Sequence, residues 1–277
     1  MNPEFRTISF DANRIIKSIH HISEVSNVVT AIYGATKNRN HVDIDALETD
    51  GLGFVFPDNV GNTIVSSQGI SNWIFRKAFE DFIIGLTQSL IEIYVFLEIY
   101  DLAKKSETVP LNPQLTVEGL QAGFLKKANK LPFPVLQTEI ERLLNVPLAY
   151  KDEIATINQV RNCLVHRNAL VDDDKPLTLR YIDMHVVVQL NGEIIEVTKE
   201  FKKKRTLVEG INIQNTTKTL IFPIGSKVSM TPDIFKGVTY TCILFIHELV
   251  RKLPIDENVK RILAPPFQLK LVTGDQS

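Results

Sequence analysis

Residues suited to phosphate chemistry are concentrated in one segment of the chain, residues 157–168, which reads INQVRNCLVHRN. Arg161 supplies a permanent cation that can bind a phosphate, and His166 supplies an imidazole, a group that exchanges protons near neutral pH. Asn158, Asn162 and His166 are spaced by four residues, so on a helix they would form a ridge along one side. The segment therefore indicates a site for phosphate chemistry.

The helical pattern of this segment makes the position of Arg161 unusual. At about 100° per residue, Arg161 falls within an apolar face formed by Ile154, Ile157, Val160, Leu164 and Val165. Because an unpaired guanidinium is very costly to bury, Arg161 should meet an acidic partner, a bound anion or a second subunit. The purely structural alternative is a salt bridge to Glu80, Glu92 or another carboxylate inside the protein, with His166 at the helix end, where a cation is favoured.

The run Arg161-Asn162-Cys163-Leu164-Val165-His166 resembles the signature of the HEPN superfamily. That signature is an arginine, usually followed by a polar residue, with a histidine after four to six intervening positions. The resemblance implies a helical bundle, commonly dimeric, and many such domains are ribonucleases of toxin, abortive-infection and phage-defence systems that need no metal. It covers the motif and, loosely, the helices from Ser71 to His166 and the last helix.

The resemblance also implies a mechanism in which Arg161, Asn162 and His166 are the catalytic residues. His166 would move the proton of the RNA 2′-hydroxyl as that oxygen attacks phosphorus, and Arg161 would offset the charge on the phosphate. Asn162 would orient the histidine or a phosphate oxygen. No metal or cofactor is implied. A spacing of five turns His166 about 140° from Arg161, so we expect either an unwound helix or, as the family implies, a homodimer that pools the residues.

Two other arginine–histidine pairs in the chain have the permitted spacing but the wrong context. Arg14 precedes His20 and His21, yet it is followed by an apolar residue. Arg180 precedes His185 within a predicted strand. Arg161 alone combines a polar neighbour, apolar intervening residues and a position late in a predicted helix.

The rest of the sequence predicts the elements that must position these residues. Apolar periodicity predicts helices over about 11–33, 71–105, 116–127, 135–144, 152–166 and 231–252, with Thr231-Pro232 starting the last one. Two β-rich runs, 177–190 and 193–201, flank Asn191-Gly192, which is a strong hairpin signal. A further strand is predicted at 220–222. The fold class expected is mainly α: a helical bundle with a β-hairpin insertion before the last long helix.

Composition bounds the class of protein. The chain has 277 residues with 44% hydrophobic and 23% charged residues, which is ordinary for a globular protein. We expect one HEPN-like domain over 1–277, with an N-terminal extension (1–68) and a β-rich insertion (177–222). Two cysteines favour a reducing, cytoplasmic setting. Charges interrupt the apolar region 73–100, so no membrane span is expected, and no signal peptide is visible at the N-terminus.

The net charge of −1 gives no general attraction to nucleic acid, so any RNA contact must come from local patches. Lys202, Lys203, Lys204 and Arg205 form one such cluster, with a solvated hairpin end as the simpler interpretation. The expected partners are RNA, a second copy of the chain and a regulatory or antitoxin protein. The alternative function is a non-catalytic HEPN-like module that binds a partner protein or RNA.

Overall fold

A computed structural model describes the parts of the chain that surround the predicted site. The described residues are 21–22, 24–29, 67–106, 117–172, 174–190, 193–196 and 210–257. Helices account for 63% of them, and the strands form one small antiparallel sheet of three strands. The mainly α class predicted from apolar periodicity is therefore confirmed.

Five helices with complete bounds are present in the described residues. In chain order they are α1 (Ser67–Ser106), α2 (Val117–Ala128), α3 (Phe133–Leu144), α4 (Lys151–His166) and, after the sheet, α5 (Pro232–Lys252). Residues 21–22 and 24–29 are also helical, and the rest of the predicted helix 11–33 lies outside the described residues. The start of α5 agrees with the prediction. The Thr231 hydroxyl accepts a hydrogen bond from the Ile234 amide (3.3 Å), which caps the first turn of the helix.

The β-rich insertion is a sheet of three strands rather than two paired runs with a short third. β1 (Leu177–Leu190) lies between β2 (Glu193–Glu196) and β3 (Gly210–Phe222), and both neighbours are antiparallel to it. β3 pairs with β1 along almost its whole length, from Leu177 opposite Phe222 to Gln189 opposite Gly210. The predicted strand at 220–222 was too short, because residues 212–219 are mostly polar and the sequence pattern does not distinguish an exposed edge strand from a loop.

The chain divides into two compact units. Within the described residues, the first unit contains 86–106, 117–151 and 243–257, and the second contains 21–22, 24–29, 67–85, 152–172, 174–190, 193–196 and 210–242. α4 lies almost entirely in the second unit, so that unit holds the predicted site. The prediction of one domain over 1–277 stays a prediction.

An aromatic cluster forms part of the core of the second unit. The ring of Phe235 on α5 is fully buried and lies 5.3 Å from Phe75, 6.0 Å from Phe79 and 5.2 Å from Phe82, all on α1. Tilted and offset aromatic rings at this separation attract each other, and this attraction adds to the stabilisation that comes from burying their apolar surface. The cluster joins the first half of α1 to the start of α5.

Threonine side chains connect the helices of this unit to β1. Thr156 on α4 accepts a hydrogen bond from the backbone amide of Arg180 (2.9 Å), and Thr241 on α5 accepts one from the amide of Ile182 (2.7 Å). Arg180 also donates to the Glu153 carboxylate on α4 (2.9 Å). These contacts fix β1 against both helices, and they hold the first two turns of α4 in place.

Gly237 allows α5 to pack closely on β1, and Gly237→Ala is expected to lower the unfolding free energy by about 1–3 kcal/mol. An added Cβ would lie 2.2 Å from Cδ2 of the buried Tyr181 ring and 3.2 Å from the Ile182 carbonyl oxygen, so helix or strand must shift. Chemical denaturation of both proteins measures the change.

Gly123→Ala is the matched control for this substitution. Gly123 lies within α2, and an added Cβ there would meet no atom within 4 Å. Alanine has the higher helix propensity, so this variant should gain about 0.5–1 kcal/mol. Equal effects of the two substitutions would contradict a steric role for Gly237.

One described helix is long and apolar enough to cross a membrane by length and composition. It is the part of α1 from Trp73 to Lys105. Of its most apolar 18 residues, 67% are buried within the protein. A buried core helix passes the same test, so the finding does not distinguish the two kinds of helix.

Candidate functional site

α4 presents the predicted site residues along the edge of its buried face. Asp152 and Glu153 in its first turn suit the positive N-terminal end of the helix dipole. The buried side chains of the helix are Glu153, Ile154, Ile157, Val160, Cys163 and Leu164. Arg161 lies at the border of this face, half-buried, whereas Asn162 and His166 are exposed. The helix ends at His166 and is followed by Asn168 and Ala169 in left-handed conformations, with φ of 51° and 66°.

The structure brings Arg161, Asn162 and His166 together within one chain. Nη1 of Arg161 donates to Oδ1 of Asn162 (3.0 Å) and lies 3.4 Å from Nε2 of His166. A guanidinium has only donors, so in a hydrogen bond between these two atoms Nε2 is the acceptor and the imidazole proton is on Nδ1. The lone pair of Nε2 therefore faces the arginine.

This contact corrects the expectation that an unwound helix or a second subunit is needed to join the two residues. The positions are about 140° apart around the axis, but α4 is helical as far as His166. Nη1 of Arg161 nevertheless reaches both Oδ1 of Asn162 and Nε2 of His166, because a long basic side chain extends well away from its own Cα. Projecting Cα positions on a helical wheel ignores this reach, and that is why the prediction was wrong.

The structural alternative for Arg161, a carboxylate partner, is not found among the described residues. Glu80 pairs with Lys77 (3.3 Å), and Glu92 accepts a hydrogen bond from Gln88 (3.4 Å). Nε of Arg161 is buried and has no hydrogen-bond partner in the described part of the chain. Arg161 thus keeps an uncompensated charge and an unused donor, which favours an anion as its partner.

The second arginine–histidine pair, Arg180 and His185, has the opposite surroundings. Arg180 is paired with Glu153 (2.9 Å). His185 lies between two carboxylates, with Nδ1 2.6 Å from Glu196 and Nε2 3.1 Å from Asp183. Acidic neighbours repel a phosphate, so this pair is unsuited to the chemistry that Arg161 and His166 allow. Arg14, His20 and the predicted basic cluster Lys202, Lys203, Lys204 and Arg205 lie outside the described residues.

Asn162 and Cys163, the two residues that follow Arg161 on α4, each make one defined hydrogen bond. Asn162 was expected to orient the histidine or a phosphate oxygen, and its Oδ1 accepts a hydrogen bond from Arg161. Cys163 is buried and its Sγ donates to the Leu170 carbonyl (3.2 Å). Burial raises the pKa of the Cys163 thiol, which disfavours the reactive thiolate. Cys163 therefore stabilises the turn after α4.

Sequence reasoning missed Arg76, which contacts the end of α4 from α1. Its Nη2 donates to the backbone carbonyl of Val165 (3.0 Å), and no carboxylate lies within ion-pair distance of it in the described ranges. Carbonyls at a helix C-terminus carry partial negative charge and lack helical partners, so an arginine there stabilises the end of the helix. The signal available in the sequence was a single arginine in the first turns of a very apolar helix.

The described residues contain no group of three or more His, Cys, Asp or Glu side chains arranged to hold a metal ion. Comparison with protein-family models, with curated proteins and with solved structures finds no match to this chain. The resemblance to the HEPN superfamily therefore rests on the sequence motif at Arg161 alone.

Proposed function

We propose that this protein is a metal-independent endoribonuclease of the HEPN type, built on a helical bundle into which the β-rich segment is inserted. The observation that carries the proposal is the 3.4 Å approach of the Arg161 guanidinium to Nε2 of His166, with no carboxylate paired to the arginine in the described residues. This arrangement offers a phosphate a cation and places a proton acceptor next to it.

The reaction is a transesterification within the RNA strand. A bound phosphate replaces Nε2 of His166 as the acceptor for Nη1 of Arg161. Nε2 then takes the proton of the 2′-hydroxyl as that oxygen attacks the neighbouring phosphorus, and the bond from phosphorus to the 5′-oxygen breaks. Arg161 binds a non-bridging oxygen of the phosphate and offsets the charge that develops on it. The proton returns to the departing 5′-oxygen, so the products are a 2′,3′-cyclic phosphate and a 5′-hydroxyl.

Asn162 positions Arg161 in this scheme. Its Oδ1 accepts one Nη1 hydrogen, which leaves the Nη2 donors for the phosphate oxygens. The proposal also includes a homodimer, a cytoplasmic location and a restraining regulatory or antitoxin protein, as the family resemblance implies. Within this proposal, a dimer is not needed to join Arg161 with His166.

Arg161→Ala is expected to reduce the RNA cleavage rate by about 10²- to 10³-fold, since one preorganised donor to the reacting phosphate is removed. The purified protein is incubated with RNA in EDTA, and the 3′ ends of the products are analysed for cyclic phosphate. RNA with 2′-O-methyl groups should remain intact, because it lacks the attacking hydroxyl.

Arg180→Lys serves as the control variant, because Arg180 is ion-paired and belongs to the other arginine–histidine pair. Cleavage that persists unchanged in Arg161→Ala would exclude this site. If the wild-type protein binds RNA but produces no cleavage at high enzyme concentration, the non-catalytic binding module becomes the better description.

A further inference from the structure

A cavity of about 260 Å³ lies beside the end of α4, next to the predicted site. Its volume is below the roughly 300 Å³ at which pockets for drug-sized ligands begin. Leu164 and Met230 are buried and give it an apolar floor, and its polar walls come from Arg76, Asn168 and Lys227. Such a cavity suits one flat ring carrying polar edges.

Trp73 forms the aromatic wall of the cavity. It is the only tryptophan of the chain, and 66% of its surface is exposed. Trp73 and Arg76 are three residues apart on α1 and so lie on the same side of that helix. Exposed aromatic faces next to cations are the means by which proteins stack nucleobases while holding the backbone phosphates.

The cations around the cavity lack carboxylate partners in the described part of the chain. Arg76 donates only to a backbone carbonyl, and Lys227 has no ion pair there. By contrast, the nearby Arg167 is paired with Asp172. Arg76 and Lys227 thus give the cavity two positive charges without a carboxylate partner among the described residues, and such charges attract a polyanion.

The polar wall is held in place by backbone hydrogen bonds. The Val171 amide donates to the Ser226 carbonyl (2.9 Å), and the Val228 amide donates to the Ala169 carbonyl (2.8 Å). Leu170 and Lys227 form a β-bridge between the same two segments. Asn168 and Lys227 are therefore carried on a loop pair that is organised before any ligand binds, which lowers the entropic cost of binding.

We propose that this cavity binds a nucleobase of the RNA strand adjacent to the phosphate held by Arg161, with the base stacked on Trp73. Arg76 and Lys227 hold the flanking phosphates, and the exposed amide of Asn168 bonds to an edge of the base. This inference rests on the proposed function, because it supplies the RNA-binding part of the same site. The contact from Arg76 to the Val165 carbonyl brings the wall of the cavity to the residue that precedes His166 on α4.

The experiment uses a 2′-O-methyl uridine hexamer, which binds without being cut, and an abasic hexamer of equal charge. Fluorescence of Trp73 should be quenched by the uridine hexamer and not by the abasic one. Trp73→Ala should weaken binding about 5- to 100-fold, as measured by anisotropy of the labelled hexamer, and Trp73→Phe should weaken it less. Lys227→Ala should reduce the slope of log binding constant against log salt concentration by about one, because one phosphate contact is lost.

Tyr100→Ala is the matched control, since Tyr100 is an exposed aromatic residue on α1 outside the cavity. It should leave affinity for the hexamer unchanged. Unaltered affinity in Trp73→Ala, or equal quenching by the abasic hexamer, would overturn the base-stacking proposal even if RNA is still cleaved. Quenching that depends on the base, in a protein that never cleaves RNA, would support the cavity and refute the nuclease. No fluorescence response to either hexamer overturns the proposal and leaves the surface to a protein partner.

Discussion

His166→Ala is expected to lower the rate of RNA cleavage by about 10²- to 10⁴-fold, which is the range for removal of a positioned general base. Nε2 of His166 faces Arg161 at 3.4 Å, so a phosphate bound by the arginine would lie next to the atom that accepts the proton. His166 is exposed at the last position of α4, so its replacement should leave the fold intact. Single-turnover cleavage of a short labelled RNA measures the effect.

His185→Ala provides the matched control for His166→Ala. His185 is the other histidine that follows an arginine at permitted spacing in the described residues, but its ring contacts Asp183 and Glu196. The His185→Ala variant should therefore cleave RNA at the wild-type rate. Affinity for the uncut 2′-O-methyl hexamer should be nearly the same in all three proteins. A loss of cleavage in His166→Ala that is matched by an equal loss of RNA affinity would argue against a role in proton transfer.

Phe235→Ala is expected to lower the unfolding free energy by about 3–5 kcal/mol, the largest stability effect among the substitutions considered. The side chain is 1% exposed and contacts three phenylalanines of α1, so alanine leaves a cavity and removes every ring contact that joins α1 to α5 here. Urea denaturation should show a lower midpoint with an unchanged slope.

Ile221→Ala is the control for this loss of apolar volume. Ile221 lies on β3 and 65% of its surface is exposed, so its replacement should change the unfolding free energy by less than about 0.5 kcal/mol. Phe235→Leu keeps most of the side-chain volume, so its loss of unfolding free energy should lie between those of Phe235→Ala and Ile221→Ala. If Phe235→Ala were no more destabilising than Ile221→Ala, the aromatic cluster would not be part of the stabilising core.

Elements with strong local signals were predictable from the sequence. Sequence patterns located α1, α2, α3, α4 and α5 to within a few residues at the described ends, and Thr231-Pro232 marked the start of α5. β3 was underestimated, because its exposed polar residues carry no alternating pattern and its pairing with β1 joins residues far apart in the chain. Long-range pairing of this kind is a property of the tertiary structure.

The candidate site shows the same division between local and long-range information. The sequence by itself determined that Arg161 lies at the apolar side of a helix with Asn162 and His166 on its flank, since helical spacing depends only on the residues concerned. Only the tertiary structure decided that the arginine reaches His166, that no described carboxylate neutralises it, and that Trp73, Arg76 and Lys227 line one cavity with Leu164 and Asn168. The physical reason is that side-chain reach and charge pairing depend on which distant elements pack together.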